Sequence, residues 1–259
     1  MIRLKSPAQI EAIAEAGAIV AEVLEMATEQ AIPGRSTGEL NEMAEAMIRD
    51  RPGATPAFKG LYGFPATLCT SVNEEVVHGI PSSRRRLEAG DILSVDVGVK
   101  QGGLFADAAV TIPVGEVAPA TERLLDVTRS ALEVGVDAAR PGTQLGDLGC
   151  AIQTHIEAAG FSVIRELVGH GVGEAPHEEP QVPNYGVRGH GFRLKAGLVI
   201  AIEPMVNAGR PEIRTLDDEW TVVTADGRLS AHFEHTVAVT AEGPQVLTRV
   251  ASPARAGES

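Results

Sequence analysis

The chain has 259 residues and a formal net charge of −13 at pH 7, so it can bury a substantial core but is poorly suited to bind DNA or anionic membranes. Its two cysteines, Cys69 and Cys150, cannot build a disulfide framework. Since the first residues lack the apolar core of a signal peptide and no apolar run reaches membrane-span length, we expect a soluble, reduced protein of the cytoplasm.

The predicted helices come in two pairs. They span about residues 7–32, 37–51, 121–139 and 145–159. Ser6-Pro7 is typical of a helix start, Thr37 opens the second helix, and Gly160 is placed to cap the fourth.

Strands are predicted in blocks after the helix pairs. They span residues 92–99, 104–112, 198–205, 219–224 and 231–240. Helices and strands that alternate in blocks favour an α+β fold, with a largely antiparallel curved sheet and helices on one face.

The chain also repeats itself. Residues 33–40 (PGRSTGEL) match residues 141–148 (PGTQLGDL), and residues 89–96 (AGDILSVD) match residues 196–203 (AGLVIAIE). No Pro/Ser-rich or charged linker separates the halves. We therefore predict one domain over residues 1–250, built from two similar halves at about 6–115 and 121–243, with a disordered tail at 251–259.

Five acidic or imidazole residues stand in apolar or glycine-rich stretches, where an unpaired charge is costly. They are Asp96, Asp107, His170, Glu203 and Glu234. Four carboxylates and one imidazole carry too much negative charge for one divalent ion and suit two. For any single acid a salt bridge or turn contact is the alternative, but these segments lack a matching number of Lys and Arg. We expect Asp107 and Glu234 each to open a strand.

Alternation along the strands predicts where two of these acids point. Asp96 shares its face with Ser94 and Gly98, away from the apolar face of its strand, and Glu203 shares its face with small residues such as Ala201. Both acids should face a common cavity.

The other histidines divide into two groups. His78 and His177 are flanked by turn residues and are candidates for a general acid, a general base or a group that polarises a carbonyl; the alternative is a structural loop histidine. His155, His190 and His232 are expected to be surface or packing residues, and His235 to be structural.

The one basic run, residues 84–86 (RRR), follows Pro81 and two serines. We interpret it as a solvated turn, and contact with RNA or an acidic partner is the alternative.

Taken together, the motifs resemble those of the type I methionine aminopeptidases, from about Ser6 to Thr248. They are residues 76–81 (VVHGIP), 94–97 (SVDV), 169–173 (GHGVG), 177–180 (HEEP), 202–205 (IEPM) and 233–236 (FEHT). The resemblance implies the pita-bread (creatinase/aminopeptidase) fold in its short bacterial form. It assigns two divalent metal ions (Co, Mn, Fe or Zn) to the five candidate ligands, and it implies a monomer that makes transient contact with the ribosome.

The resemblance also implies a reaction. A metal-bound hydroxide would attack the first peptide carbonyl and release the N-terminal methionine of nascent proteins and peptides whose second residue is small. Glu203 would shuttle the proton, His177 would stabilise the oxyanion, and His78 would hold the backbone of the second residue.

The methionine pocket departs from the family pattern. Family members usually line it with aromatic groups, and this chain has Leu61 and Pro176 at two matching positions. The remaining candidates for the wall are Phe58, Phe64, Cys69 and Trp220. We expect the pocket still to bind the methionine side chain but to discriminate less strongly against other long side chains.

Two alternatives stay open. One is a metallopeptidase of the same fold that cleaves before proline, although those proteins usually carry a large extra N-terminal domain. The other is a non-enzymatic binding module that has lost its metals, which the full set of candidate ligands and histidines disfavours.

Overall fold

The computed structural model describes residues 2–249; the predicted tail at 251–259 lies outside them. The first half contains two helices, five strands and a short 3-10 turn at Leu61–Gly63. Its elements are α1 (Pro7–Gln30), α2 (Thr37–Arg49), β1 (Ala54–Pro56), β2 (Leu68–Val72), β3 (Glu75–Val77), β4 (Ile92–Gln101) and β5 (Leu104–Pro113). Capping boxes at Ser6 and Ser36 satisfy free N–H groups at the starts of α1 and α2, which is why both helices begin where predicted.

The second half again begins with a helix pair. Its elements are α3 (Pro119–Ala138), α4 (Leu145–Ala158), β6 (Ser162–Val163), β7 (Gly169–Gly171), β8 (Glu178–Val182), β9 (Val199–Ile202), β10 (Met205–Asn207), β11 (Ile213–Thr215), β12 (Val222–Thr224), β13 (Ser230–His232), β14 (His235–Thr240) and β15 (Gly243–Val246). Pro119 in the first turn of α3 starts that helix two residues before the predicted Thr121.

Two predicted strands are interrupted where an acid lies. The strand predicted at 198–205 breaks at Glu203 because Pro204 has no N–H for the ladder. The strand predicted at 231–240 breaks at Phe233 and Glu234, so that Glu234 precedes β14 as expected. The expectation that Asp107 opens a strand is wrong, because Asp107 lies inside β5.

Every pair of neighbouring strands in residues 2–249 is antiparallel, which confirms the predicted α+β class. The hydrogen bonds divide the strands into four sheets rather than one. These are β1-β4-β2 with β5 on β4, β13-β10-β6, β11-β12-β3, and β15-β14-β9-β7-β8.

Helix α1 covers β4 and β5, α2 packs beside α1 on β1 and β2, and α3 and α4 pack on strands of the second half. The apolar face of β4 (Leu93, Val95, Val97 and Val99) is fully buried in the hydrophobic core that it shares with α1 and α2. Because side chains alternate along a strand, Asp96 lies on the opposite face. Within the described residues, no helix combines the length and the apolar composition needed to cross a bilayer.

The two halves also repeat one another in their hydrogen bonds. Arg86 donates a hydrogen bond to the carbonyl oxygen of Gly34 (2.7 Å), and Arg193 does the same to Gly142 (2.6 Å). Both glycines have positive φ. Each arginine also forms an isolated β-bridge with the capping residue of the neighbouring helix. Arg86 is exposed, as a solvated turn predicts, but it also holds the loop between α1 and α2.

Candidate metal centre and active site

All five predicted ligands line one cavity of about 580 Å³. In the first half, Asp96 on β4 lies opposite Ala109 on β5, and Asp107 lies opposite Gly98. The two acids are therefore diagonal neighbours on one face of the strand pair. This register follows from the hydrophobic alternation, which buries the other face of β4.

The second half supplies the other three ligands from adjacent strands. His170 is the middle residue of β7, which pairs with β9. Glu203 directly follows β9 and Glu234 directly precedes β14, and these two strands pair with each other. Because the two strands are antiparallel, both glutamates lie at the same end of the strand pair.

The ligand atoms are close enough to share metal ions. One atom each from Asp107, His170 and Glu234 lie within 4.8 Å of one another. The Nε2 atom of His170 is 3.6 Å from Oδ2 of Asp107 and 3.5 Å from Oε1 of Glu203. Oδ1 of Asp96 is buried and has no hydrogen-bond partner, which is costly unless a cation or water meets it.

The electrostatics of the cavity favour the binding of cations. Burial raises the pKa of Asp96 to about 8, raises the pKa of Glu203 to about 7, and holds the pKa of Glu234 well above its ordinary value. The Asp107 carboxylate adds to each of these increases in pKa. Carboxylates that repel one another in a buried site suit divalent cations, so the donor set fits a metal centre.

His78 and His177 both border this cavity. His78 is half-buried with φ of 61°, a strained conformation for a histidine, and burial lowers its pKa to about 4. His177 is exposed at the mouth, with its ring centroid 4.4 Å from that of His170. Partial burial and the neighbouring His170 lower the pKa of His177. Neutral imidazoles in these places can donate or accept hydrogen bonds.

One end of the cavity is apolar. Four residues that were candidates for the pocket wall line it: Phe58, Phe64, Cys69 and Trp220. The rings of Phe64 and Trp220 meet edge to face at 5.1 Å. Cys69 on β2 lies directly opposite Asp96 on β4, which joins the apolar end to the carboxylates.

Of the two non-aromatic positions, Leu61 also lines the cavity, whereas Pro176 is buried outside its lining.

Among the residues that line the cavity, two with aromatic or imidazole rings were not predicted as site residues. Tyr62 is 78% exposed, and its ring lies nearly parallel to that of His177 at 6.3 Å. His232, expected to be a surface or packing residue, is buried and lines the cavity. His232 lies two residues before Glu234, a spacing that puts two side chains on one face of a strand. That spacing could have identified it.

The remaining histidines lie outside this cavity. His190 is exposed, as expected, and His155 on α4 forms a hydrogen bond to Ser130 on α3. The His235 ring bonds to the hydroxyl of Thr248, which agrees with a structural role.

Residues 11–241 match the family described as metallopeptidase family M24. The chain belongs to this family. Like other M24 metallopeptidases, it is a metal-dependent hydrolase with the pita-bread fold. It is 51% identical to methionine aminopeptidase 1 of Bacillus subtilis over 250 residues, which cover 96% of this chain and 100% of the relative. The crystal structure of methionine aminopeptidase from Thermotoga maritima superposes with a TM-score of 0.94 at 44% identity, covering 96% of this chain and 100% of that one.

Within family M24, the chain is less similar to an enzyme of the proline-specific type. The prolidase from Pyrococcus horikoshii has a TM-score of 0.77 at 24% identity, and the match covers 95% of this chain and 63% of the prolidase. A likeness at this identity shows the fold alone. Among the M24 members, the chain therefore groups with the bacterial type I methionine aminopeptidases.

Proposed function

We propose that this M24 member removes the N-terminal methionine from nascent proteins and peptides whose second residue is small. The observation that carries the proposal is a single cavity in which the ligand Asp96 lies directly opposite Cys69 of the apolar end. Such a cavity can hold a thioether side chain beside the peptide bond to be cut. The names of the relatives support the same activity.

We assign two divalent metal ions to the five acidic and imidazole ligands, Asp96, Asp107, His170, Glu203 and Glu234. The close ligand atoms and the unpartnered Oδ1 of Asp96 support this assignment. When bound, the ions polarise the peptide carbonyl and lower the pKa of water. The oxygen-rich set with one imidazole suits Co, Mn, Fe or Zn.

The side chains of the cavity then have distinct roles. Glu203 accepts the proton of the attacking water at a carboxylate oxygen and delivers it to the departing amide nitrogen. His177, at the mouth beside His170, donates a hydrogen bond to the carbonyl oxygen as negative charge develops there. His78 holds the backbone of the second residue. The wall of Phe58, Phe64, Cys69 and Trp220 takes the methionine side chain.

The test is release of methionine from Met-Ala-Ser by the purified protein, before and after removal of metal with a chelator. We expect release that stops on chelation and returns when a divalent ion is added. An Ala-Pro dipeptide tests the proline-specific alternative. A metal-loaded protein that cleaves neither peptide would support a binding module instead.

We also propose that residues 1–250 form one catalytic domain of two similar halves. The matching contacts of Arg86 and Arg193 support the repeat. We further propose a cytoplasmic location, as expected from the sequence composition. The family resemblance implies a monomer that contacts the ribosome transiently. Gel filtration and ribosome co-sedimentation test these two points.

A further inference from the structure

His232 is a buried polar group of the cavity that the proposed mechanism leaves without a role. It is 1% exposed, and its Nε2 atom has no hydrogen-bond partner among the described residues. A buried polar atom without a partner costs about 1–3 kcal/mol. An unsatisfied nitrogen at this depth therefore needs an explanation, and its surroundings supply one.

The position of His232 is fixed by its backbone. It lies on β13 opposite Met205 of β10. Its backbone N–H donates a hydrogen bond to Oγ1 of Thr111 on β5, and that hydroxyl donates to the backbone carbonyl of His232, both at 2.8 Å. The backbone of His232 is thus held against a second sheet, and its side chain lines the cavity.

The Glu203 carboxylate lies between two imidazoles. Its Oε1 atom is 3.5 Å from Nε2 of His170, and its Oε2 atom is 3.6 Å from Nε2 of His232. The two oxygens thus face different rings, one that belongs to the proposed ligand set and one that does not.

We propose that His232 is a positioning residue for Glu203, an inference that rests on the proposed function. Its Nε2–H donates a hydrogen bond to Oε2, which leaves Oε1 free to face the metal. A carboxylate movement that shortens the contact by about 0.7 Å completes this bond. Groups that orient a metal ligand in this way typically change metal affinity or activity by about 10–100-fold.

The experiment compares His232→Leu with His232→Gln, because the Gln amide can donate to Oε2 and Leu cannot. Calorimetry of the chelated proteins measures Mn²⁺ binding, and kcat and KM are measured on Met-Ala-Ser. For His232→Leu we expect Mn²⁺ affinity and kcat to fall about tenfold or more, with KM changed by less than about threefold. Gln should restore both to within about threefold of wild type. His190→Gln, the same change at an exposed histidine, should leave all three unchanged.

Three results would overturn the inference. Unchanged Mn²⁺ affinity and kcat in His232→Leu would show that His232 does not position Glu203. Equal losses of Mn²⁺ affinity and kcat in the Leu and Gln variants would show that no hydrogen bond to Oε2 is involved. If the visible spectrum of the Co²⁺-loaded variants also indicated one nitrogen ligand fewer than in the wild type, His232 would itself be a metal ligand. Unchanged Mn²⁺ affinity with a large rise in KM would make it a substrate-binding group.

Circular dichroism of the chelated variants shows whether they fold. If Leu unfolds the protein, His232→Asn, whose shorter amide does not reach Oε2, replaces it in the comparison. The Mn²⁺ measurement needs no peptide, so it tests His232 even if Met-Ala-Ser is not a substrate. Failure of the proposed function and failure of this inference are therefore distinguishable.

Discussion

The four carboxylates of the proposed ligand set have no lysine or arginine partner among residues 2–249. Within residues 2–249, every ion pair of a lysine or arginine involves an acid outside the proposed ligand set. In the same range, the ion-pair partners of the proposed ligands Asp107 and Glu203 are all histidines. Salt bridges with lysine or arginine therefore do not account for these acids, and divalent cations do.

Glu203→Gln tests the residue that is assigned the proton transfer. The amide keeps the size of the side chain but cannot accept a proton, so we expect kcat on Met-Ala-Ser to fall about a hundredfold or more. Circular dichroism should show an unchanged fold. A loss of less than about tenfold would remove Glu203 from the proton-transfer role.

The apolar end predicts relaxed selectivity at the first residue of the peptide. Leu61 lines it without an aromatic face, and one methylene in such a pocket discriminates by only about 1–3 kcal/mol. We expect norleucine to be cleaved measurably but more slowly than methionine, and leucine more slowly still. A kcat/KM series over Met, norleucine, Leu and Ala, with Ala held second, measures this. Cleavage of Ala or Leu as fast as Met would contradict the pocket assignment.

At the scale of elements, the segment before α1 supports the loop that carries His177. Lys5 is nearly fully buried, and its ammonium group donates a hydrogen bond to Oε2 of Glu178 at 2.6 Å. The backbone N–H of Lys5 bonds to the carbonyl oxygen of Gly197, also at 2.6 Å. The other oxygen of Glu178 accepts the backbone N–H groups of Glu174 and Ala175. The chain start thereby holds the loop next to His177.

Lys5→Met should therefore affect both stability and rate. Removing one partner of a buried pair leaves the other charge uncompensated, so we expect the free energy of unfolding to fall by about 3 kcal/mol. We expect kcat to fall about tenfold, because a small displacement of a catalytic group is costly. Denaturant titration and steady-state kinetics measure the two effects.

Lys195→Met, at an exposed lysine, is the matched control and should change neither quantity appreciably. A stability loss in Lys5→Met with an unchanged kcat would show that the position of His177 does not depend on this ion pair.

For the whole molecule, the buried acids make the stability of the metal-free protein depend on pH. Folding raises the pKa of Asp96 to about 8 and that of Glu203 to about 7. The folded state then binds more protons than the unfolded chain, so the free energy of unfolding falls as pH rises. His78, whose pKa is lowered to about 4, opposes this trend only below about pH 6.5, where unfolded histidines are protonated.

We therefore expect the chelated protein to lose about 2 kcal/mol of stability between pH 6.5 and 8. Thermal melts across this range, with a chelator present, measure the loss. Asp96→Asn should make the slope shallower without abolishing it, because it removes one of the three buried carboxyl groups whose pKa values are raised, and Glu203 and Glu234 remain. Excess divalent ion should reverse the slope, since metal ligands bind in their deprotonated form. A chelated wild type whose stability rises over this range would contradict the buried cluster.

The sequence by itself determined those features whose causes are local. The serine caps act within four residues, so the starts of α1 and α2 were predictable. Alternation fixed the direction of Asp96 on β4, and the internal repeat paired Asp96 with Glu203. The five candidate ligands could be named because charges in apolar segments are costly wherever those segments fold.

Only the tertiary structure decided the contacts between distant segments. Thr111 and His232 are 121 positions apart, yet their hydrogen bonds hold the backbone of the histidine beside the cavity. Tyr62 comes to lie beside His177, and Pro176 lies outside the lining, for the same reason. These positions depend on which strands and loops meet when the two halves close around one cavity. Contacts between distant segments depend on the packing of the whole chain, and a local sequence pattern does not determine that packing.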